Sequence, residues 1–343
     1  MEMRVLITGA TGFLGGNLTR RLLADHAPVR ILARDAAAAQ PLVEQGAELS
    51  PGAITDRAAL RRALDGVTHV YHLAGKLFIP GTPASEYRAT HVEGTRLLLD
   101  CCEETGTVAR FVHCSTTGVL GATGNQSADE TAAYQPTNVY EATKMGAERL
   151  VRAHIAEGFP AVIVRPGLVY GPGDLHLLGF FRAIERGLFR PIGHAPIWVH
   201  PIYIADMTEA LAQCGHDPRA VGECFHIAGR EPATLETLAA TIAASLGLTL
   251  PRGRSPLAAA SALALAGDLL PASMRTLAPL TRSRLDFLTH SRRYVVEKAQ
   301  RLLDFTAATE LPDGIARTTA WYRQEGYLPA PRAAIAGALA DVR

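Results

Sequence analysis

Three evenly spaced glycines near the start of the chain constrain its fold more than any other feature of the sequence. Residues 4–7 predict a buried strand, and Phe13–Ala24 predicts a helix with its leucines on one face. Gly9, Gly12 and Gly15 punctuate the junction between the two. Such glycines allow the sharp strand-to-helix bend, the approach of backbone to a pyrophosphate and close helix–strand packing, while the helix N-terminus faces the anion. The pattern predicts a phosphate-binding turn, with a purely structural tight turn as the alternative.

Strands and helices alternate through the first half of the chain. Further apolar runs predict strands at residues 29–33, 47–49, 69–73, 110–114 and 161–164. Helical patterns lie between them, at residues 57–64, 84–104 and 137–157. This alternation predicts an α/β fold with a doubly wound parallel sheet, the Rossmann fold. After about residue 172 the alternation loosens, which predicts a smaller, mixed α/β lobe.

The predicted domain organisation follows from this change in pattern. We expect a dinucleotide-binding domain over residues 1–172, a substrate-binding lobe over residues 173–330 and a tail over residues 331–343. We also expect segments at about 195–215 to return to the sheet of the first domain. Of the 343 residues, 48% are apolar and 20% charged, which indicates a globular chain rather than a disordered one. A net charge of +1 argues against a nucleic-acid-binding protein.

Cysteines and apolar segments bear on where the protein works. The five cysteines form no C-x-x-C pair, which favours reduced, buried thiols and a cytoplasmic protein, and we expect no metal site. The first strand follows Met1 almost at once, so we expect no secretory leader. The most apolar stretch, residues 257–270, has 14 residues and is too short to span a bilayer.

Tyr140 and Lys144 indicate acid–base chemistry. Their spacing of four places both on one face of a predicted helix. A free phenol has a pKa of about 10, and a nearby ammonium would lower that pKa by favouring the phenolate. Tyr140 would then exchange a proton with a carbonyl or alcohol oxygen. The alternative is a chance pair on an exposed helix, but residues 115–117 are three hydroxyl residues that end the strand just upstream.

Together these motifs resemble the extended short-chain dehydrogenases/reductases of the NAD-dependent epimerase/dehydratase superfamily. The resemblance spans roughly residues 3–330. It rests on the Thr-Gly-x-x-Gly-x-x-Gly turn at residues 8–15, on the Tyr-x-x-x-Lys pair, and on the segments at 91–95 and 165–172. Among these proteins the chain most resembles the branch of 3β-hydroxysteroid dehydrogenase and dihydroflavonol-4-reductase. The resemblance implies an NAD(P)-dependent dehydrogenase or reductase that acts on CH–OH groups and forms a homodimer.

The resemblance also implies roles for individual residues. Thr116 and Tyr140 would bind the carbonyl oxygen, Tyr140 would exchange its proton, and Lys144 would lower the pKa of the phenol and bond the nicotinamide ribose. The cofactor would be held by residues of the glycine turn and of the strand ends: Gly9, Thr11, Gly12, Phe13, Leu14, Gly15, Arg34, Ile54, Leu73, Ala74, Ser115, Tyr140, Lys144, Pro166 and Val169.

The end of the second strand bears on the choice of cofactor. Arg34 offers a guanidinium suited to a 2′-phosphate, so we expect NADP(H) to be preferred, while the neighbouring Asp35 keeps NAD(H) open. Two positions depart from the family pattern. Residues 52–54 lack the usual aspartate near the adenine, and His91 replaces the usual asparagine. We leave open that His91 is a hydrogen-bonded core histidine.

The candidate substrate walls, at residues 76–80 and 175–181, are largely apolar. The predicted substrate contacts are Lys76, Phe78, Thr117, Leu175, Phe181 and His200. Thr117 and Gly118 stand where nucleotide-sugar dehydratases carry Asp-Glu, which disfavours a dehydratase. We expect an apolar steroid-, flavonoid- or aldehyde-like small molecule, with an NAD-dependent nucleotide-sugar epimerase and a non-catalytic dinucleotide-sensing regulator as the alternatives. The helices over residues 256–288 close over the core or, alternatively, form a lipophilic pocket that opens near a membrane surface.

Overall fold

A seven-stranded parallel sheet forms the centre of the computed structural model, which describes residues 3–79, 81–270 and 280–330. The predicted tail at 331–343 lies outside the described residues, as does residue 80 of the first candidate substrate wall. The strands along the chain are β1 (Val5–Thr8), β2 (Val29–Ala33), β3 (Glu48–Pro51), β4 (His69–His72), β5 (Arg110–Cys114), β6 (Ala161–Pro166), β7 (Leu168–Tyr170), β8 (Trp198–Val199), β9 (Pro201–Tyr203), β10 (Cys224–Ile227) and β11 (Ala233–Thr234). The order in the large sheet is β10-β6-β5-β4-β1-β2-β3. The predicted α/β fold with a doubly wound parallel sheet is confirmed.

Helices cover both faces of this sheet. Along the chain, the helices of the described residues are α1 (Phe13–Ala24), α2 (Ala36–Val43), α3 (Arg57–Ala63), α4 (Ala84–Arg88), α5 (Gly94–Thr105), α6 (Val139–Ala156), α7 (Leu178–Glu185), α8 (Ile204–His216), α9 (Leu235–Leu246), α10 (Leu257–Asp268), α11 (Arg282–Thr289), α12 (Glu297–Leu303) and α13 (Leu311–Gln324). One buried cluster joins the sheet to α1, α2 and α8, and a second joins its other face to α3, α5 and α6. Because both faces are covered, the residues of β1, β2, β5, β6 and β10 are all buried.

One prediction about a single element was wrong. The continuous helix predicted over residues 84–104 is interrupted by a π-helical turn, Ala89–Glu93. The segment expected to return to the sheet, at about 195–215, supplies the short strands β8 and β9, which lie outside the large sheet. It also supplies the helix α8, which packs against α1 and against β5 and β6 of the large sheet. A strand from the second half of the chain, β10, joins the large sheet at its edge, pairs with β6 and is buried along its whole length.

The second lobe has its own apolar cluster. Helices α7, α9 and α13 pack around it, and its fully buried members include Phe181, Leu238, Ile242 and Tyr322. Within the described ranges, no helix is long and apolar enough to cross a membrane.

The topology brings the predicted motifs to one edge of the sheet. Parallel strands end at the same edge, so the residues that follow β1, β2, β4, β5 and β6 become neighbours there. The strand order switches sides at β1: β2 and β3 lie on one side of it, and β4 and the later strands lie on the other. Ligands of doubly wound folds bind at this kind of switch point, beyond the carboxyl ends of the strands.

Candidate active site

The glycine turn after β1 can be built only with glycine at two of its positions. Gly9 has a φ of +77°, and a Cβ there would lie 2.6 Å from the Ala74 nitrogen. A Cβ at Gly15 would lie 2.2 Å from the Gly9 carbonyl oxygen. Gly12 caps α1 without any side-chain hydrogen bond. The first N–H groups of α1 therefore meet no side-chain cap, which is the arrangement that a pyrophosphate requires.

Hydrogen bonds hold the end of β4 beside this turn. The Thr8 hydroxyl lies 2.8 Å from His72 Nδ1 and accepts a hydrogen bond from the Ala74 N–H. His72 Nε2 in turn lies 2.8 Å from the Thr95 hydroxyl. These contacts bring Leu73 and Ala74, both half-buried, next to the glycine turn. The predicted cofactor residues from β1 and β4 thus form one continuous surface.

Arg34 and Asp35 differ in what they are free to bind. The Asp35 carboxylate caps α2 by accepting hydrogen bonds from the N–H groups of Ala37 and Ala38, at 2.9 and 3.1 Å. Arg34 is exposed, directly follows β2, and has no hydrogen bond or ion pair with the residues that the structure describes. Ile54 lies farther along the same edge, against Gly94. The arginine is therefore available to an anionic ligand, whereas the aspartate is already committed.

The structure brings the hydroxyls of Thr116 and Tyr140 together. Thr116 follows β5, and its hydroxyl accepts a hydrogen bond from the Gly118 N–H at 3.1 Å. Tyr140 lies in the first turn of α6, whose N-cap Asn138 accepts a hydrogen bond from the Glu141 N–H. The Thr116 hydroxyl lies near enough to the Tyr140 phenol to oppose a rise in its pKa, and both side chains are half-buried. A substrate oxygen that reaches this pair would meet two hydroxyl groups at once.

The predicted effect of Lys144 on the phenol is not found. Burial raises the pKa of Tyr140 above its ordinary value, and the nearby Thr116 hydroxyl opposes this only in part. The Lys144 ammonium is buried and donates to the Cys114 carbonyl oxygen, and burial lowers its own pKa. Desolvation thus outweighs any attraction between the ammonium and a phenolate, and it keeps Tyr140 protonated.

Ser115 and Thr117, predicted to contact cofactor and substrate, are instead engaged with the protein. The Ser115 hydroxyl donates to Glu148 at 2.6 Å, and the Thr117 hydroxyl donates to the Pro166 carbonyl at 2.9 Å. Glu148 is fully buried and also accepts two hydrogen bonds from the Arg165 guanidinium, at 2.7 and 3.1 Å. The ion pair between Arg165 and Glu148 links β6 to α6. A buried carboxylate such as Glu148 needs partners of this kind. Sequence reasoning missed Glu148, although a buried strand that contains arginine signals a hidden acidic partner.

The remaining predicted residues divide into those at the edge and those in the core. Pro166 ends β6, and Val169 in β7 is half-buried beside it. Of the glycine-turn residues, Thr11 is exposed, and Phe13 and Leu14 are half-buried. Lys76 and Phe78 are half-buried, and Leu175 is 52% exposed.

Two predicted substrate contacts lie in the core instead. Phe181 is fully buried in the cluster of the second lobe, edge-to-face with Tyr322 at 5.0 Å. His200 is buried and lies 2.8 Å from the Gly229 carbonyl through Nε2. Both stabilise the second lobe, and neither side chain is placed to face a substrate.

Taken together, the uncapped glycine turn and the paired hydroxyls at the next strand ends define a class, the dinucleotide-dependent α/β enzymes. The chain belongs to the NAD dependent epimerase/dehydratase family, whose sequence model matches residues 5–228. Enzymes of this family are NAD(P)-dependent dehydrogenases, reductases, dehydratases and epimerases. The predicted family and the prediction of an NAD(P)-dependent enzyme are confirmed.

Named relatives support the resemblance to the steroid and ketone branch. The chain is 30% identical over 286 residues to a 4-hydroxy-2-methyl-3-oxo-4-farnesyl-3,4-dihydroquinoline-1-oxide ketoreductase of Stigmatella aurantiaca, covering 82% of this chain and 84% of that protein. It is 30% identical over 267 residues to a 3 beta-hydroxysteroid dehydrogenase/Delta 5-->4-isomerase of Mycobacterium tuberculosis, covering 73% and 71%. Sterol demethylase protein B of Methylococcus capsulatus is 35% identical over 175 residues, which span only 50% of this chain and 53% of that protein.

Solved structures agree in fold over nearly the whole chain. The dTDP-glucose 4,6-dehydratase DesIV of Streptomyces venezuelae, solved with NAD and TYD bound, has a TM-score of 0.75 and 26% identity. The match covers 96% of this chain and 100% of DesIV. The structure of gox2253 gives a TM-score of 0.78 at 26% identity, covering 95% and 99%.

Proposed function

We propose that the protein is an NADP(H)-dependent oxidoreductase that transfers hydride between nicotinamide and a carbonyl or secondary alcohol of a largely apolar substrate. The observation that carries the proposal is the placement of Thr116 beside Tyr140, with Lys144 one helical turn away, at the sheet edge that holds the glycine turn. The similarity to a ketoreductase and to a 3 beta-hydroxysteroid dehydrogenase supports this reaction type.

The residues at the sheet edge fit the cofactor. The glycine turn and the first N–H groups of α1 would receive the pyrophosphate, and Arg34 would receive the 2′-phosphate of NADP(H). Leu73, Ala74, Pro166 and Val169 would border the ribose and nicotinamide. When bound, the nicotinamide supplies or accepts the hydride.

The protein's own contribution is to place and move a proton. Thr116 and Tyr140 would donate hydrogen bonds to the substrate carbonyl oxygen, and Tyr140 would pass its proton to that oxygen as negative charge develops there. Because burial keeps Tyr140 protonated, it is in the correct form for a reduction. Lys144, whose buried ammonium lies one helical turn away in α6, would bond the nicotinamide ribose.

The test is consumption of NADPH by the purified protein with a panel of 3-ketosteroids, flavanone-type ketones and aryl or alkyl aldehydes. The proposal predicts turnover of at least one apolar carbonyl, abolished in Tyr140→Phe. Tight NADPH binding without turnover of any carbonyl would contradict it and favour a nucleotide-sugar epimerase or a dinucleotide sensor. A dehydratase is disfavoured because Thr117 and Gly118, after Thr116, offer no acid.

We also propose that α10 contacts a membrane surface. Four leucines of α10 and its C-terminal flank are strongly exposed: Leu257, Leu263, Leu265 and Leu269. Exposed apolar side chains favour contact with another apolar or interfacial surface. Co-sedimentation with anionic lipid vesicles should fall in the double variant Leu263→Ser, Leu269→Ser, and should not fall in Leu188→Ser, whose 67% exposed leucine lies elsewhere. Equal sedimentation of all three proteins, or none by the wild type, would refute the contact.

The family resemblance further leads us to propose a homodimer built on the helices around Tyr140 and Lys144. Light scattering after size-exclusion chromatography would give twice the chain mass of 36.6 kDa for a dimer. A mass of one chain at micromolar concentration would contradict it. A cytoplasmic location stays a prediction, supported by five free, buried cysteines.

A further inference from the structure

His91 occupies an unusual place in the fold. It lies in the π-helical turn Ala89–Glu93, between α4 and α5, and its side chain is buried. π turns widen a helix locally and are frequent at functional sites. The π turn packs against α6, the helix that carries Tyr140. His91 also departs from the asparagine of the family pattern, so its role belongs to this chain.

Both ring nitrogens of His91 are engaged, and each reaches a different part of the site. Nε2 accepts the N–H of Lys76 at 2.9 Å. Nδ1 lies 2.8 Å from the Thr143 hydroxyl. Since the backbone N–H can only donate, Nε2 carries the lone pair and the neutral ring carries its proton on Nδ1. Nδ1–H therefore donates to Thr143. Burial lowers the pKa of His91 to about 3, so this form persists at neutral pH.

Through Thr143, His91 is connected to the proposed proton donor, Tyr140. Thr143 lies three residues after Tyr140 in α6, and its hydroxyl is within 2.8 Å of the Val139 carbonyl and 3.0 Å of the Tyr140 carbonyl. The His91 ring also meets the Tyr140 ring edge-on, with centroids 5.6 Å apart. His91 thus contacts the Tyr140 side chain and bonds the turn of helix that holds it.

Through the Lys76 N–H, His91 also contacts a candidate substrate wall. We call its residues 76–79 the strap. The Tyr87 hydroxyl accepts the Ile79 N–H at 2.7 Å, and the Phe78 ring stacks on the Tyr87 ring. Leu77 and Ile79 are each about half exposed, at 49% and 48%. The strap therefore presents apolar side chains while its backbone is held at one end by Tyr87 and at the other by His91.

We propose that His91 is a positioning residue that ties the strap to the helix of Tyr140, so that the substrate wall and the proton donor keep a fixed relation. This inference rests on the proposed function, in which the strap borders the substrate and Tyr140 gives the proton. His91 itself touches neither substrate nor cofactor in this account. Its two hydrogen bonds have different roles: the bond at Nε2 fixes the strap, and the bond at Nδ1 fixes the helical turn that carries Tyr140.

Two conservative variants separate these bonds. An asparagine amide nitrogen occupies nearly the place of Nδ1, so His91→Asn keeps the donor to Thr143 and loses the acceptor of the Lys76 N–H. A glutamine amide oxygen reaches nearly the place of Nε2, so His91→Gln keeps that acceptor and loses the donor. Both variants lose the ring contact with Tyr140, which makes each the matched control of the other.

The first readout is hydrogen exchange of the Lys76 amide in the protein alone, which needs no substrate. We expect exchange to be about tenfold faster in His91→Asn and close to wild type in His91→Gln, the factor that corresponds to one hydrogen bond. Thr143→Val, which removes only the Nδ1 partner, should also leave Lys76 protected. Equal protection of the Lys76 amide in His91→Asn and His91→Gln would overturn the proposed link between His91 and the strap.

The second readout is kinetic, with a carbonyl that the wild type reduces. His91→Asn should raise KM about tenfold with kcat within about twofold, whereas His91→Gln and Thr143→Val should lower kcat about tenfold with little change in KM. A merely structural histidine would change both constants alike in all three variants, and that result would overturn the positioning role. If the wild type reduces no carbonyl, the proposed function fails, and the exchange comparison still decides whether His91 ties the strap.

Discussion

The protonation of single buried groups governs what this site can do. Burial raises the pKa of the Tyr140 phenol, and the nearby Thr116 hydroxyl opposes this only in part. A phenol that stays protonated through neutral pH is a competent acid and a scarce base. Under the proposed function, Tyr140 is therefore in the form that carbonyl reduction requires.

Removing the phenol tests this directly. Tyr140→Phe should lower kcat for carbonyl reduction by about 10²- to 10⁴-fold, the range of a lost general acid, and should leave the Kd for NADPH unchanged. The matched variant Phe78→Leu leaves the hydroxyl pair intact and should retain most of kcat. Full turnover by Tyr140→Phe would show that Tyr140 is not the proton donor.

The raised pKa of Tyr140 also fixes the sign of the pH dependence. The acid form persists as pH rises, so kcat/KM for reduction should stay level from about pH 6 to about pH 9. For alcohol oxidation the phenolate is required, so the rate should climb over the same range. A reduction rate that falls between about pH 7 and about pH 8 would show that the phenol ionises much earlier.

Arg34 should decide between the two nicotinamide cofactors. Arg34→Ala should raise the Kd for NADPH about 10- to 100-fold and leave the Kd for NADH unchanged, because the guanidinium would bind only the 2′-phosphate. Arg34→Lys should recover part of the affinity through charge alone. Calorimetry that gives equal affinities for both cofactors in the wild type would contradict the preference for NADP(H).

The sequence was informative about motifs and less so about what surrounds them. The glycine turn and the Tyr140–Lys144 pair follow from short-range spacing, and Thr116 follows from the family resemblance. The structure brings them to one edge of the sheet. The bond from Ser115 to Glu148 and the burial of Phe181 depend on which helices pack together. Spacing along a chain carries no information about such tertiary partners, and for this reason both residues were assigned to the wrong surroundings.

At the level of elements, the junction of β1 and α1 is the most constrained part of the fold. Gly15 lies in α1 so close to the Gly9 carbonyl that no Cβ fits between them. Helix and strand consequently pack backbone to backbone, and this contact sets the direction in which α1 presents its N-terminus.

Two helical glycines provide a matched comparison. Gly15→Ala should destabilise the fold by about 1–3 kcal/mol and weaken NADPH binding, because the new methyl must displace backbone. Gly179→Ala, in α7 with open space around its Cβ, should be neutral or stabilising by about 0.5–1 kcal/mol. Urea unfolding of the two variants gives the difference. Equal stabilities would show that the β1–α1 junction tolerates a wider turn.

The π-helical turn at Ala89–Glu93 is an element that the sequence pattern did not predict. The helical pattern over residues 84–104 is real, but nothing in its spacing signals the extra residue that widens the helix at Ala89–Glu93. The same holds for the sheet, where an apolar run predicted β6 but nothing in it showed that β10 would be its neighbour at the edge. Local patterns identify elements, and packing decides their neighbours.

Across the whole molecule, buried histidines make stability depend on pH. Burial lowers the pKa of His72, His91 and His226 to about 3, and lowers that of His113 well below its ordinary value. In the unfolded chain these groups titrate near a pKa of about 6.5. Below that pH the unfolded state binds more protons, so stability is full above about pH 6.5 and is lost as pH falls toward the folded pKa values.

His113 isolates one such contribution. Neither of its ring nitrogens has a hydrogen-bond partner among the described residues, and the side chain is fully buried. His113→Leu should leave the free energy of unfolding at pH 7 unchanged or higher, and should reduce its fall by about 1.4 kcal/mol per pH unit below about pH 6. The exposed His194, changed to Gln, should leave the slope unchanged. Identical slopes in His113→Leu and wild type would show that His113 is not held neutral.

The central claim is net hydride transfer from NADPH to an apolar carbonyl, and deuterium labelling measures it most directly. With NADPH deuterated on the transferred position of the nicotinamide and each ketone of the panel in turn, mass spectrometry should find one deuterium on the carbinol carbon of an alcohol product. One NADP⁺ should form for each alcohol, and Tyr140→Phe should form both at least about 10²-fold more slowly. Recovery of every ketone unreduced, with the cofactor pool still reduced, would contradict the claim.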